Sequence, residues 1–454
     1  MMPTSAAGRH CFQARLKDER SGLLEFLQLL LFMIVGAVGV VSSPRLGLQH
    51  VFEGLDIPLD FQTITLSYAD VFMGWLLLIS GLRAFLENAY RLRLAETVKL
   101  LLRPRYAALF VGFLALMSVG LFWAKQPSLL IASALHFAAC LLMSFIGAAL
   151  VREHGLSALW AIVLGGALQA LIGLLQVINN STLGLSALGE VPRPYYEPTT
   201  FFRASGLSMH ANYLGGYLML ALFAALCLAV QARRRLGRIL SSALGTLCAL
   251  GMLGTLSRSA LLSTAIGSLP IAWIAWRALN RPARRSMLIL SSAGVLIGIA
   301  FVLFATRGEL VTRFFSGREF FFRDSWTVIQ SAPLFGVGAG NLMYEVWLNV
   351  GMTPGPKLPV HNVYLYIWAE TGLLGLTIFG AALLLNLSRL RPRYGAAHFI
   401  IGCGVLALAA VSLFDNYTWA VHPHRVLTFW WIGLWWGATW HATDQSSSCD
   451  ALAA

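Results

Sequence analysis

The chain has 454 residues, of which 57% are hydrophobic and only 12% charged, about half the charged share of roughly 25% found in water-soluble domains. So few charges cannot cover a soluble globule of this length, and the mean hydropathy of +0.70 agrees; soluble cofactor-binding folds, disulfide scaffolds and disordered chains are excluded. The 33 Lys+Arg against 20 Asp+Glu leave a net charge of +13, which in a membrane protein first poses the question of sidedness.

The segment 1–22 is polar and basic, and the apolar run after it has no small-residue cleavage site, so it reads as a tail before a first span and not as a removed signal peptide. Apolar stretches near the roughly 20 residues needed to cross about 30 Å of hydrocarbon then fall at 23–41, 62–82, 106–123, 128–150, 156–178, 206–230, 239–257, 259–276, 286–305, 361–387, 395–414 and 425–441. The expected fold class is an all-α polytopic membrane protein with about 12 transmembrane helices. Helices alone are expected, because period-2 alternation is absent and a helix satisfies its own backbone in lipid. Spans one to nine occupy 23–305, a large outer loop with short helices 306–360, spans ten to twelve 361–441, and a tail 442–454. No internal repeat is visible.

With the N-terminus in the cytoplasm, 22 of the 33 cations fall on cytoplasmic segments and 11 on the other face, so the positive-inside rule puts both termini inside. Arginines that nevertheless remain outside suggest an anion there, although any one of them can simply contact lipid phosphates. Cys140, Cys227, Cys248 and Cys403 lie in apolar runs without Cys-x-x-Cys spacing and read as small core residues.

Four segments hold polar groups where apolar runs begin or end. Arg203-Ala204-Ser205-Gly206-Leu207-Ser208-Met209-His210-Ala211-Asn212 leads into the sixth span; the bland alternative is a snorkelling arginine with polar helix-start residues. Leu256-Ser257-Arg258-Ser259 divides a long apolar run, and an arginine at the tip of a buried hairpin is costly without an anionic partner. Ser316-Gly317-Arg318 precedes Pro333-Leu334-Phe335-Gly336-Val337-Gly338-Ala339-Gly340-Asn341; that glycine string lacks the Gly-Lys-Ser/Thr ending of a phosphate loop and reads as a flexible turn between two loop helices. Last, Pro359-Val360-His361-Asn362 opens the tenth span. Pro359 suits a helix start, which places His361 in the first turn, where the positive dipole end disfavours imidazolium. Alone, such a histidine can equally anchor a helix end. Glu370 lies more than two turns further on, too far to pair with it. The sequence shows no His/Cys cluster, no acidic outer-loop cluster for a divalent metal and no nucleotide motif.

These segments, in this order, resemble the O-antigen ligase/polymerase family of bacterial envelope glycosyltransferases. The resemblance rests on the Arg-x-Ser-Gly of Arg203 to Gly206 with Asn212 following, on Ser257-Arg258, on Arg318 with the Pro-Leu-Phe-Gly-Val-Gly of Pro333 to Gly338, and on the ligase-type spacing of His361, Asn362, Gly372 and Gly375. Asp415 looks like the family's late acidic position. The layout is similar throughout, whereas the specific motifs cover about 200–375, and they do not separate the ligase branch from the polymerase branch.

The resemblance implies a metal-independent, inverting transfer of a glycan from undecaprenyl pyrophosphate to an acceptor hydroxyl at the periplasmic face of the bacterial inner membrane. The acceptor would be lipid A–core in a ligase, or another carrier-linked glycan in an O-antigen or exopolysaccharide polymerase. No cofactor and no nucleic acid are expected. Arg203 and Arg258 are the expected pyrophosphate ligands, Arg318 a loop residue closing on donor phosphate or sugar, and His361 the general base. Asn362, which can also cap the helix or orient the histidine, Arg323 and Asp415 are further candidates for substrate contact. A glycolipid transporter is the alternative of another class, disfavoured by the absence of two related halves and by polar residues gathered at the outer boundary.

Overall fold

The computed structural model describes residues 6–42, 46–52, 59–102, 106–191, 202–282, 318–350 and 357–452. Its helices are α1 (Ala6–Val38), α2 (Leu59–Gln62), α3 (Tyr68–Leu86), α4 (Asn88–Leu102), α5 (Tyr106–Val119), α6 (Pro127–His154), α7 (Leu159–Asn179), α8 (Ala211–Gln231), α9 (Arg235–Thr255), α10 (Arg258–Ala278), α11 (Arg318–Ser331), α12 (Leu342–Val350), α13 (Val363–Leu387), α14 (Ala396–Val411), α15 (Tyr417–Ala420) and α16 (His422–Leu452). Among the described residues, α3, α6, α7, α8, α9, α10 and α13 are long and apolar enough to cross a membrane, and α4 with α5 adds an eighth if that bent pair is one span. Gly22–Val38 and α14 are shorter apolar helices. The ninth expected span, 286–305, lies outside the described residues.

Helix α8 sits among α7, α9, α10 and α14, while α6 pairs with α16 and α1 with α3. Small residues let these helices approach closely: a Cβ at Gly251 of α9 would lie 2.5 Å from the Ala170 Cβ of α7. The indoles of α16 tie it to three neighbours. Trp430 donates to the Phe32 carbonyl at 2.8 Å, Trp431 to Ile401 at 3.0 Å and Trp436 to Asn386 Oδ1 at 2.7 Å. At the end of the bundle away from His361, Arg83 is 1% exposed and meets Glu25, Glu87 and Glu153 at 2.9–3.0 Å. It is a structural cation inside α3, not a loop charge.

Three expectations need correction. Residues 62–66 do not begin a helix: β2 (Thr63–Leu66) pairs antiparallel with β1 (Leu46–His50), Leu46 opposite Leu66. Thr-Ile-Thr-Leu does alternate with period 2, and the helix starts only where Ser67 caps it through a reciprocal box with Asp70. The interval between the expected spans 62–82 and 106–123 is also not a simple connecting loop, since it forms α4.

The third correction concerns the glycine-rich stretch 332–341. Helix α13 is broken at Gly372, whose φ is 70° and ψ −178°. The break frees backbone groups, and the glycine-rich strap takes them up. Val337 and Gly338 N–H donate to the carbonyls of Ala369 and Glu370 at 3.0 and 2.8 Å, and Leu373 and Leu374 N–H donate to Pro333 and Leu334 at 2.9 and 3.3 Å. Gly340 N–H reaches Glu370 Oε1 at 2.7 Å, and the Trp368 indole reaches the Pro333 carbonyl. The stretch is a clasp on a broken helix, and Glu370 serves that clasp. A Cβ at Gly372 would stand 2.1 Å from the Leu334 carbonyl oxygen. Gly372→Ala is therefore expected to cost at least the roughly 1–3 kcal/mol of a forced backbone. It should lower the thermal unfolding midpoint in detergent, whereas Gly380→Ala, with nothing within 4 Å, should leave it unchanged.

Candidate active site

Four chain segments meet at one end of the bundle: 203–212 before α8, the turn from α9 to α10, the turn 412–416 after α14, and 359–363 before α13. The α9–α10 turn is two residues long. Leu256 takes φ 51° and Ser257 caps α10 by accepting from Ala260 N–H, which puts Arg258 at the first helical position.

Segment 203–207 is shaped by two glutamines of α7, seven residues apart on one face. Gln176 accepts from Ser205 and Gly206 N–H at 3.1 and 2.8 Å and donates to the Gly206 carbonyl at 2.9 Å and to Glu190 at 2.7 Å. All four of its hydrogen-bond positions are filled. Gln169 accepts from Leu207 N–H at 2.8 Å. Thus fixed, Arg203 donates through Nε to the Thr255 carbonyl at 2.9 Å and through Nη2 to Asn212 Oδ1 at 2.8 Å. Asn212 passes the chain on, its Nδ2 donating to Asp415 Oδ2 at 2.8 Å. Asn416, next to it, donates to the carbonyls of Pro359 and Val360, and Val363 N–H to Ser412 at 2.8 Å.

Arg258 is exposed and lies in the electrostatic reach of both Arg318 and Arg203. Arg318 donates to the Phe414 carbonyl at 2.9 Å. The His361 ring stacks on Phe321 with centroids 5.6 Å apart, and the fields of Asp415, Arg318 and His210 act on it. The structure thus brings together Arg203, Arg258, Arg318, His361 and Asp415, with three positive charges against one negative among these arginines and the aspartate.

His361 is not in the first turn of α13. Asn362 is the N-cap, its Oδ1 accepting from Leu365 N–H at 3.0 Å, so His361 precedes the helix. Asn362 Nδ2 donates to the Leu413 carbonyl at 3.0 Å, so its amide holds backbone on both sides. Burial pushes the His361 pKa down; Asp415 opposes this, and Arg318 and His210 reinforce it. Its Nδ1 is buried without a hydrogen-bond partner. If the neutral ring is the working form, the acid limb of the rate profile should lie below the usual imidazole value of about 6.5. Arg318→Gln removes a cation and should move that limb up; Asp415→Asn should move it further down. A pH–rate series on the three proteins checks both signs.

Arg323 stands apart: it is 67% exposed, lies over the Phe320 ring at 5.4 Å and is 3.9 Å from its neighbour Asp324. Gln169 and Gln176 were missed by sequence reasoning, while His210 and Asn212 lay inside a segment it singled out but were given no role in the site. Two glutamines at i and i+7 in an otherwise apolar helix were the available signal.

A second polar group was also unforeseen. Asp70, His136 and His422 bring their donor atoms within 4.8 Å of one another, correcting the expectation of no histidine cluster. His136 Nε2 meets Asp70 Oδ1 at 2.8 Å, the two imidazoles stack at 4.2 Å, and Arg425 Nη1 is 3.4 Å from His136 Nδ1. Ser67 donates to Asp70 through both N–H and Oγ. Asp70 thus has His136 and Ser67 as partners, and the guanidinium already supplies a positive charge beside them.

Fold and site together define a multi-pass helical membrane protein with an arginine–histidine centre at one end of its bundle. Residues 243–380, less than a third of the chain, match the family model described as O-Antigen ligase, which supports membership of the O-antigen ligase/polymerase family and a glycan-transferring role. The matched segment includes Arg258, Arg318, His361 and the strap. No curated protein matches the chain.

Proposed function

We propose that the protein is a metal-independent inverting glycosyltransferase that moves a glycan from undecaprenyl pyrophosphate to an acceptor hydroxyl. The preferred acceptor is lipid A–core, so that the reaction attaches O-antigen to lipopolysaccharide at the periplasmic face of the inner membrane. One observation carries this reading: Arg258 lies in the electrostatic reach of Arg203 and Arg318, and His361 in that of Arg318, although the three arginines come from distant segments.

The acceptor oxygen attacks the anomeric carbon opposite the carrier, its proton passing to His361 as the new C–O bond forms. The bond from the anomeric carbon to the phosphate oxygen breaks, and the diphosphate leaves with the electron pair. In the neutral imidazole one ring nitrogen carries a proton and the other is free to accept the one released by the acceptor hydroxyl. Asp415 then favours the imidazolium. Guanidiniums offer bidentate hydrogen bonds to phosphate oxygens as negative charge develops there.

Purified protein with lipid-linked donor and lipid A–core should form product in excess chelator, and a deletion strain should accumulate carrier-linked glycan and lack polymer on its lipopolysaccharide. Lipopolysaccharide capped with a single repeat unit would assign the same chemistry to a polymerase. Counterflow of glycolipid in liposomes without a covalent product would favour a transporter and refute the enzyme reading.

A further inference from the structure

Helix α11 and the strap carry an apolar surface that the chemistry above does not use. Phe320, Phe322 and Trp326 are 52%, 48% and 37% exposed, and Leu334 and Phe335 59% and 54%. Phe322 stacks on Trp326 at 6.0 Å, and Trp326 meets the edge of Trp368 at 5.7 Å. The surface has a defined height along the bundle because α11 is pinned at both ends. Arg318 holds the Phe414 carbonyl and Phe321 the His361 ring at one end. At the other, Pro333 and Leu334 are bonded to Leu373 and Leu374. The nine steps from Val363 to Gly372 correspond to about 13 Å of helix, so α11 runs beside the first third of α13 and the strap reaches the depth of the break.

Two features say what covers this surface. Leu373 and Leu374, joined directly to the strap, are 44% and 45% exposed on a helix apolar enough to cross a bilayer, so the apolar face of the strap continues a lipid-facing one. The strap also shares backbone hydrogen bonds with the broken helix, as irregular backbone at membrane depth requires. The other face of α11 buries Val328, Ile329 and the Asp324–Lys357 pair, 3.8 Å apart. Aromatic rings outward, with Arg318 and Arg323 toward the end nearest His361, is the composition of a helix lying in a membrane interface.

We propose that α11 and the strap are seated in the bilayer interface at the His361 end, with Phe320, Phe322, Trp326, Leu334 and Phe335 covered by lipid at the boundary of headgroups and acyl chains. This seating fixes Arg318 at the level of lipid phosphates, so a diphosphate on a membrane-held carrier meets it without leaving the interface. That consequence rests on the glycan-transfer reading; the seating itself does not.

The test places the photo-crosslinking residue p-benzoylphenylalanine at Phe322 or at Phe335 in protein reconstituted in phosphatidylethanolamine/phosphatidylglycerol vesicles. Leu384, 69% exposed on α13, is the lipid-facing control. Phospholipid adducts at Phe322 and Phe335 comparable with those at Leu384 are expected, and they need no turnover. Adducts at Leu384 alone would overturn the seating, as would crosslinks from Phe322 to added glycan in place of lipid. In the transfer assay, Phe322→Ser with Trp326→Ser should raise the KM for lipid-linked donor by about tenfold, the scale of two half-buried rings. Inhibition by inorganic pyrophosphate should not change; an equal loss of both would show that the pair merely supports the fold around the arginines.

Discussion

Replacing His361 with alanine is expected to lower turnover by about 10²–10⁴, the range a positioned general base contributes. The bundle should survive the change, because His361 precedes the N-cap of α13 and its ring stacks on Phe321. The cap itself belongs to Asn362, and the clip to the 412–416 turn belongs to Asn362, Val363 and Asn416. His361→Gln keeps the size and a polar tip but accepts no proton at neutral pH, so it should be as inactive as the alanine variant. Folding of both is checked by size-exclusion profile and unfolding midpoint in detergent. Wild-type turnover in either would remove the base assignment.

Substituting Arg203 or Arg258 with alanine is expected to cost about 10²–10³ in turnover each, the magnitude of one donor lost from a developing negative charge. Lysine should not rescue Arg203, since a point charge cannot reproduce the planar fork that spans Thr255 and Asn212. Arg258 is exposed at the start of α10, so its loss should reach catalysis without reaching the core. The glutamine clamp gives a remote version of the same experiment. Gln176→Leu removes three bonds to the 203–207 segment and a fourth to Glu190, and it should weaken donor handling in the same direction as Arg203→Ala. The two changes combined should be less than additive, because both act through one guanidinium. Steady-state kinetics on the single and double variants measure this.

Much of the architecture was legible where apolar runs are long and cleanly bounded: the expected spans 128–150, 156–178 and 259–276 lie within or nearly within α6, α7 and α10. Hydropathy failed where a β-branched alternation was joined to a helix, as at Thr63–Leu66, since a window average cannot see a two-residue period. It failed again at the strap, whose meaning depends on Gly372 adopting φ 70° more than thirty residues away. Arg203, Arg258, Arg318 and His361 stood out because each interrupts or borders an apolar run and has a place in the family motifs. Asn212 lay inside one of those motifs, but its role as the link from Arg203 to Asp415 required α8 and the 412–416 turn to be adjacent. Asp70, His136 and His422 come from three helices with no local spacing to announce them. The sequence places Arg323 among the same loop cations as Arg318, five residues along; only the direction of its side chain on α11 separates the two.

The most direct measurement is equilibrium binding of undecaprenyl pyrophosphate, in excess chelator, to the purified wild-type protein and to its Arg203→Ala and Arg258→Ala variants. If guanidinium groups carry the diphosphate, the wild type binds without any divalent ion, and each variant loses at least about tenfold in affinity, or roughly 1.4 kcal/mol. Binding that vanishes with chelator, or variants that bind as tightly as the wild type, would contradict the account.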